Sequence, residues 1–226
     1  MPAKSGPQII TSGLVCYIDI ANPACYTGGS TLFDLSGNGK DFINDGATYT
    51  SDYGGGMQIT AGSGRLYHAD TIFGSTYEVP TTIFLIATSG NCTFVEDNTD
   101  GSTRNYFIMS NTNVSMDQYL PGGSGSRIDY SFDETTDGPR IAAQSTDASR
   151  YARWMVNGDS IYAGTQEDYS GALPDFSSIN SRRLASNNYH NSYTGTFNAL
   201  LCYNRALSED EMIYNYRELR SRFKLK

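Results

Sequence analysis

The side chains best suited to chemistry in this 226-residue chain lie in two short stretches and at two isolated histidines. Asn187-Asn-Tyr-His-Asn-Ser-Tyr193 gathers amides, an imidazole and two tyrosines. Aromatic faces stack on sugar rings and amides pair with hydroxyls, so Asn187, Asn188, Tyr189, His190, Asn191 and Tyr193 are candidate glycan ligands. The same composition also describes an ordinary solvated loop, and both readings stand. Glu96-Asp-Asn-Thr-Asp100 is the nearest thing to a carboxylate pair. As a strand it would set Glu96, Asn98 and Asp100 on one face, as acid–nucleophile hydrolysis requires. Its composition and the following Gly101 read as a loop instead. A loop rich in oxygens suits a hard cation, which makes Asp97, Asn98 and Asp100 candidate Ca²⁺ ligands, although their spacing is not that of an EF-hand. His68 follows Tyr67 in an expected strand and reads as structural. Tyr49 and Tyr53, with Asp52 between them, read as packing residues. No nucleophile elbow, Cys-His signature, phosphate loop, dinucleotide fingerprint or zinc spacing occurs, and an enzyme is not expected.

The elements that must position these groups are strands. The chain has 23 Gly and 17 Tyr, with many Asn, Ser and Thr, a composition of short strands and frequent turns. Residues 13–20 are the expected first strand. Residues 56–60, 65–69, 81–88, 91–95 and 105–110 follow. Ile83-Phe-Leu-Ile-Ala is apolar throughout, as a strand buried between two layers should be. Residues 121–126 read as a loop, 127–132 as an alternating strand, and 140–144 as a strand that pairs near it. Arg153-Trp-Met-Val-Asn-Gly-Asp-Ser-Ile-Tyr162 is a hairpin, because Asn157-Gly158 supplies the positive φ angles of a two-residue turn. Residues 181–185 and 194–204 close the strand series. Ser208 stands three residues before Glu211, the spacing of a capping box, and opens a helix over about 209–222. These elements make an all-β, two-sheet antiparallel jelly-roll sandwich with one C-terminal α-helix. Residues 1–12 are an N-terminal arm expected to be ordered against the body or a neighbour, and 13–226 a single domain.

Charge narrows the partners. The net charge is -8. Residues 1–204 carry 10 Lys/Arg against 20 Asp/Glu, and residues 205–226 carry 6 against 4. An acidic body argues against a nucleic-acid surface. No apolar run reaches transmembrane length and the first residues lack a signal-peptide core, so neither membrane insertion nor secretion is expected.

Both ends resemble one family. Leu201-Cys-Tyr-Asn-Arg-Ala-Leu-Ser-Glu-Asp-Glu211, Asn215-Tyr216 and Ser221-Arg-Phe223 are similar to the closing strand and helix of the laminin-G-like branch of the concanavalin A-like lectin/glucanase superfamily. Ile10-Thr-Ser-Gly-Leu-Val-Cys-Tyr-Ile-Asp19, Ala21-Asn-Pro23, Asp34-Leu-Ser-Gly-Asn-Gly39 and the 46–56 segment resemble its opening, and Val156-Asn-Gly158 its penultimate hairpin. The resemblance implies that the first and last strands are neighbours. Cys16 and Cys202 would then lie close, as buried free thiols or as a bonded pair. Glucanase members carry Glu-x-Asp-x-Glu on one strand, which this chain lacks. Members with this short lead-in look like tailed-bacteriophage virion proteins. The implied function is a virion structural protein without a catalytic role, a capsid decoration or tail adhesion module. It would sit on the virion surface after synthesis in the host cytoplasm. Its partners would be other virion proteins, reached through the arm, and cell-surface glycans. A free carbohydrate-binding lectin, calcium-dependent or not, is the alternative, with a glycoside hydrolase as the residual reading.

Overall fold

A computed structural model describes residues 6–60, 64–68, 72–73, 80–88, 92–95, 104–109, 113–119, 125–131, 138–165, 178–179 and 195–225. Two eight-stranded sheets face each other. Sheet A holds β1 (Leu14–Asp19), β4 (Thr48–Thr50), β5 (Gly56–Ile59), β7 (Thr81–Ala87), β12 (Arg140–Thr146), β13 (Tyr151–Val156), β14 (Asp159–Thr165) and β16 (Gly195–Tyr203). Sheet B holds β2 (Thr31–Leu32), β3 (Phe42–Asp45), β6 (Arg65–Tyr67), β8 (Cys92–Val95), β9 (Arg104–Met109), β10 (Asn113–Tyr119), β11 (Gly125–Ser131) and β15 (Ser178–Ile179). Helix α1 spans Glu209–Phe223. The spatial order is β14-β13-β12-β7-β16-β5-β4 in sheet A, with β1 also on β16, and β11-β10-β9-β8-β15-β6-β3-β2 in sheet B. This is the expected antiparallel sandwich.

Strand β7 shows why the molecule has three layers. All seven of its residues are buried. Ile83, Leu85 and Ala87 join Cys16, Met57, Trp154 and Leu200 between the sheets. Phe84 and Ile86 face the other way, onto Met212, Tyr216, Leu219 and Phe223 of α1. Its uninterrupted apolar run is the consequence of covering on both faces.

The closing helix begins as the sequence predicts. The Ser208 hydroxyl accepts from Glu211 N at 3.3 Å, and Ser208 N donates to Glu211 Oε2 at 2.9 Å. Arg205 lies 2.6 Å from Glu211 Oε1, and its hydrogen bonds hold the Glu211 carboxyl down at about 2. At the β13–β14 turn, Asn157 and Gly158 have φ of 50° and 90°. A Cβ on Gly158 would run into the Tyr216 ring, so the Val156-Asn-Gly158 turn is also a seat for the helix.

Residues 6–12 lie along α1. Gln8 N donates to Glu218 Oε2, Ile10 N donates to Asn215 Oδ1 at 2.8 Å, and Ile10 O accepts from the Tyr203 hydroxyl at 2.9 Å. Asn215 is fully buried and also donates to the Tyr203 oxygen at 2.9 Å. The arm's described backbone is therefore held by its own body.

The Asp34–Gly39 motif is a carboxylate-centred turn. Asp34 Oδ1 accepts from Tyr17 N and Ser36 N, while Oδ2 accepts from the Ser36 hydroxyl, Asn38 N and Lys40 N. It fastens the turn to β1. Next to it, Asp19 is fully buried. It accepts from Ala21 N at 3.0 Å and the Tyr17 hydroxyl at 2.9 Å, and Arg222 Nε makes an ion-pair contact at 2.7 Å. Burial pushes the Asp19 carboxyl above its ordinary value, although Arg222 pulls the other way. Cys16 and Cys202 stand directly opposite in register. Both are buried, and neither is in a disulfide.

Some expectations needed correction. Residues 127–132 and 140–144 do not pair: β11 is the edge of sheet B, whereas β12 sits between β7 and β13 in sheet A. β10 was not expected, nor were β2, β3 and β4 between residues 31 and 50, nor β15. The expected strand 181–185 lies outside the described residues.

Candidate ligand-binding face

The two sheets differ in what they leave open. The outer face of sheet A is covered by α1 and by Ile9 and Ile10 of the arm. Sheet B has no such cover among the described residues. Leu32, Phe42 and Leu66 of this sheet are fully buried in the core. Their strand neighbours Thr31, Ile43, Arg65 and Tyr67 are half-buried, and Asp45 is exposed. Strand alternation therefore puts these five residues on the outward face. Phe33, directly after β2, is 47% exposed.

This corner is a compact aromatic and charged group. Arg65 Nε lies 3.0 Å from Asp45 Oδ2. The Arg65 guanidinium stands over the Tyr67 ring, 4.3 Å from its centroid, within cation–π range. Asp45 and Arg65 are direct cross-strand partners. Two glycines bring them together: a Cβ on Gly46 would come within 3.1 Å of Gly64 Cα, and one on Gly64 within 3.0 Å of the Gly46 carbonyl. Both have positive φ, so β-carbon-free backbones must cross here. Asn44 braces the same turn, its amide bonding Ala47 N at 2.9 Å and Ala47 O at 3.0 Å.

Register carries the outward face across the sheet. Tyr67 pairs with Ser178, Ser178 with Val95, Val95 with Tyr106, Tyr106 with Asp117, and Asp117 with Arg127. The opposite parity reads Leu66, Ile179, Phe94, Phe107, Met116 and Ile128. By residue type one parity is apolar; the other mixes Tyr, Ser, Val, Asp and Arg. At the described corner, a tyrosine beside hydrogen-bonding residues has the chemistry to contact sugar rings and pair with hydroxyls.

The residues singled out from the sequence fare differently. Asn187, Asn188, Tyr189, His190, Asn191 and Tyr193 lie outside the described residues, as do Asp97, Asn98 and Asp100. Among the described residues no group of three His, Cys, Asp or Glu side chains could hold a metal ion. His68 is structural: its Nδ1 sits 2.7 Å from Asp41 O. Tyr53 has φ 52° in a short 3₁₀ turn whose Gly54 abuts the Arg222 carbonyl, which suits a packing role. Tyr49 is 47% exposed and stacks on Tyr26 with centroids 5.7 Å apart. Arg65 and Tyr67 went unnoticed in the sequence. The available signal was the polar–apolar–aromatic alternation around Leu66, which marks a strand with an outward face.

No protein-family model and no curated protein matches the chain. Solved structures do match. The binding domain of botulinum neurotoxin DC, determined in complex with rat synaptotagmin II, superposes with a TM-score of 0.66 at 13% identity, covering 93% of this chain and 52% of that one. The binding domain of Paraclostridial Mosquitocidal Protein 1 gives 0.65 at 16% identity, over 91% and 52%. A structure of botulinum neurotoxin type C, whose cell entry depends upon interaction with two ganglioside molecules, gives 0.63 at 13%, over 93% and 52%. At these identities the likeness is one of fold, an antiparallel β-sandwich. The chain spans about half the length of the structures it matches.

Proposed function

We propose that this chain is a non-enzymatic binding module that holds cell-surface glycan on the outward face of sheet B. The observation that carries the reading is an asymmetry among the described residues: sheet A is covered by α1 and the arm, while sheet B presents the Tyr67–Arg65–Asp45 corner. The matched structures include binding domains, one in complex with rat synaptotagmin II, and a neurotoxin whose cell entry depends upon two ganglioside molecules, which supports recognition rather than catalysis. The resemblance of both chain ends to phage proteins supports display on a virion, as a head decoration or tail adhesion module. A free lectin is the alternative setting. Fold likeness alone does not assign a ligand, so the test is direct. On a glycan array, with calcium and with a chelator, the chain should bind at least one glycan class, and Tyr67→Ala should lose roughly tenfold in affinity. Silence of the unmodified chain under both conditions sinks the reading. Mass spectrometry of purified virions tests the setting, which requires this chain among the particle proteins.

A further inference from the structure

We infer that two copies of this chain pair through the outward side of α1, with the two helices antiparallel about a two-fold axis at Tyr214. The helix buries Met212, Asn215, Tyr216, Leu219 and Phe223. At 3.6 residues per turn the opposite side carries Asp210, Tyr214, Arg217, Ser221 and Lys224. All five are exposed. The nearby cations Arg205 and Arg222 are engaged with Glu211 and Asp19, whereas Asp210, Arg217 and Lys224 have no ion pair among the described residues. Tyr214 is 42% exposed. It borders a groove lined by Gln8, Ile9, Thr11, Arg205 and Glu211, between the arm and the helix.

The helix dipole accounts for an acid in the first turn and a base in the last. It does not account for Tyr214 and Arg217, which stand in the middle of this 15-residue helix. Self-complementarity does. At 1.5 Å per residue, Asp210 lies about 6 Å before Tyr214 and Arg217 about 4.5 Å after it. An antiparallel copy centred on Tyr214 therefore brings each Asp210 level with the Arg217 of the other copy, offset by about 1.5 Å along the axis. Two opposite-charge pairs then flank two tyrosines, and each tyrosine faces the groove of the other copy. A parallel pairing would instead set like charges side by side. Such an isologous contact closes at two copies. One helix side about 22 Å long is small beside a standard interface, so the dimer is a weak one, with Kd on the order of 100 μM. The contact does not involve sheet B and stands apart from the glycan reading.

Sedimentation velocity of the 226-residue chain, over about 5 to 500 μM, tests this. The dimer should grow with concentration. Asp210→Lys and Arg217→Glu each bring like charges together and should each weaken it at least about tenfold. The double variant Asp210→Lys/Arg217→Glu exchanges the two charges and should dimerise like the parent, which a damaged helix could not do. Geometry is read separately with oxidised glutathione as oxidant. Tyr214→Cys should form a disulfide between two copies at residue 214, mapped by mass spectrometry against the unmodified chain. Lys224→Cys, about 30 Å from its counterpart across the axis, should not. A chain that stays monomeric at about 500 μM overturns the inference. So do a dimer indifferent to both charge reversals, a double variant that stays monomeric, and cross-linking at 224 in preference to 214.

Discussion

Asp19 is the residue where burial and charge oppose each other most directly. It has lost all contact with water, and Arg222, Tyr17 and Ala21 supply what replaces that contact. Burial still outweighs the arginine, since the carboxyl is raised. A carboxyl raised on folding binds its proton more tightly in the native state. Its contribution is therefore fully present below the ordinary carboxylate value and falls as pH rises through the raised one. Urea unfolding of Asp19→Asn should show this: the variant gains on the parent as pH climbs from about 4 towards neutrality. The partner behaves differently. Arg222→Met leaves a buried carboxylate without its cation and should cost about 3–5 kcal/mol at neutral pH. Equal losses for the two variants, independent of pH, would contradict this account. None of it was legible beforehand, because Tyr17, Asp19 and Arg222 meet only when the chain's two ends do. The tie of His68 to the Asp41 carbonyl, 27 residues away, could not be foreseen either.

At the scale of elements, the ends of the chain were readable and the middle less so. The capping box, the Asn-Gly turn and the apolar run of β7 are local signals, and each marks the element it specifies. β10 reads Asn-Val-Ser-Met-Asp-Gln-Tyr, with too few apolar residues to stand out alone. What makes it a strand is full pairing on both sides, with β9 and β11, a non-local property. The arm shows the same dependence. Its backbone is satisfied by Asn215, Tyr203 and Glu218. Asn215→Leu keeps the size but leaves the Ile10 N–H without a partner and removes a donor from the Tyr203 oxygen. It should lower stability by roughly 2–4 kcal/mol in urea. It should also expose residues 6–12 to proteolysis while α1 remains helical by circular dichroism. An unchanged proteolytic pattern would show that the arm is held some other way.

The molecule is a sandwich whose sheet A is covered by α1 and the arm, while sheet B has no such cover among the described residues. The covered side follows from sequence: an amphipathic, capped helix at the end of an all-β chain must cover a sheet, and the resemblance of the two ends indicated which strands meet beneath it. The face of sheet B does not follow. Tyr67 and Tyr106 are 39 positions apart in the sequence, and only the register through β15 and β8 puts them on one row. Sequence reasoning favoured 187–193 because its aromatics and amides are contiguous; a binding face assembled across strands has no contiguous signature. The account's central claim, that ligand sits on the outward face of sheet B, is tested most directly by amide hydrogen exchange with and without a saturating bound glycan. Added protection should appear in β6, β9 and β10, with α1 and the arm unchanged. Protection confined to α1 and the arm, or to residues 187–193 alone, would contradict it.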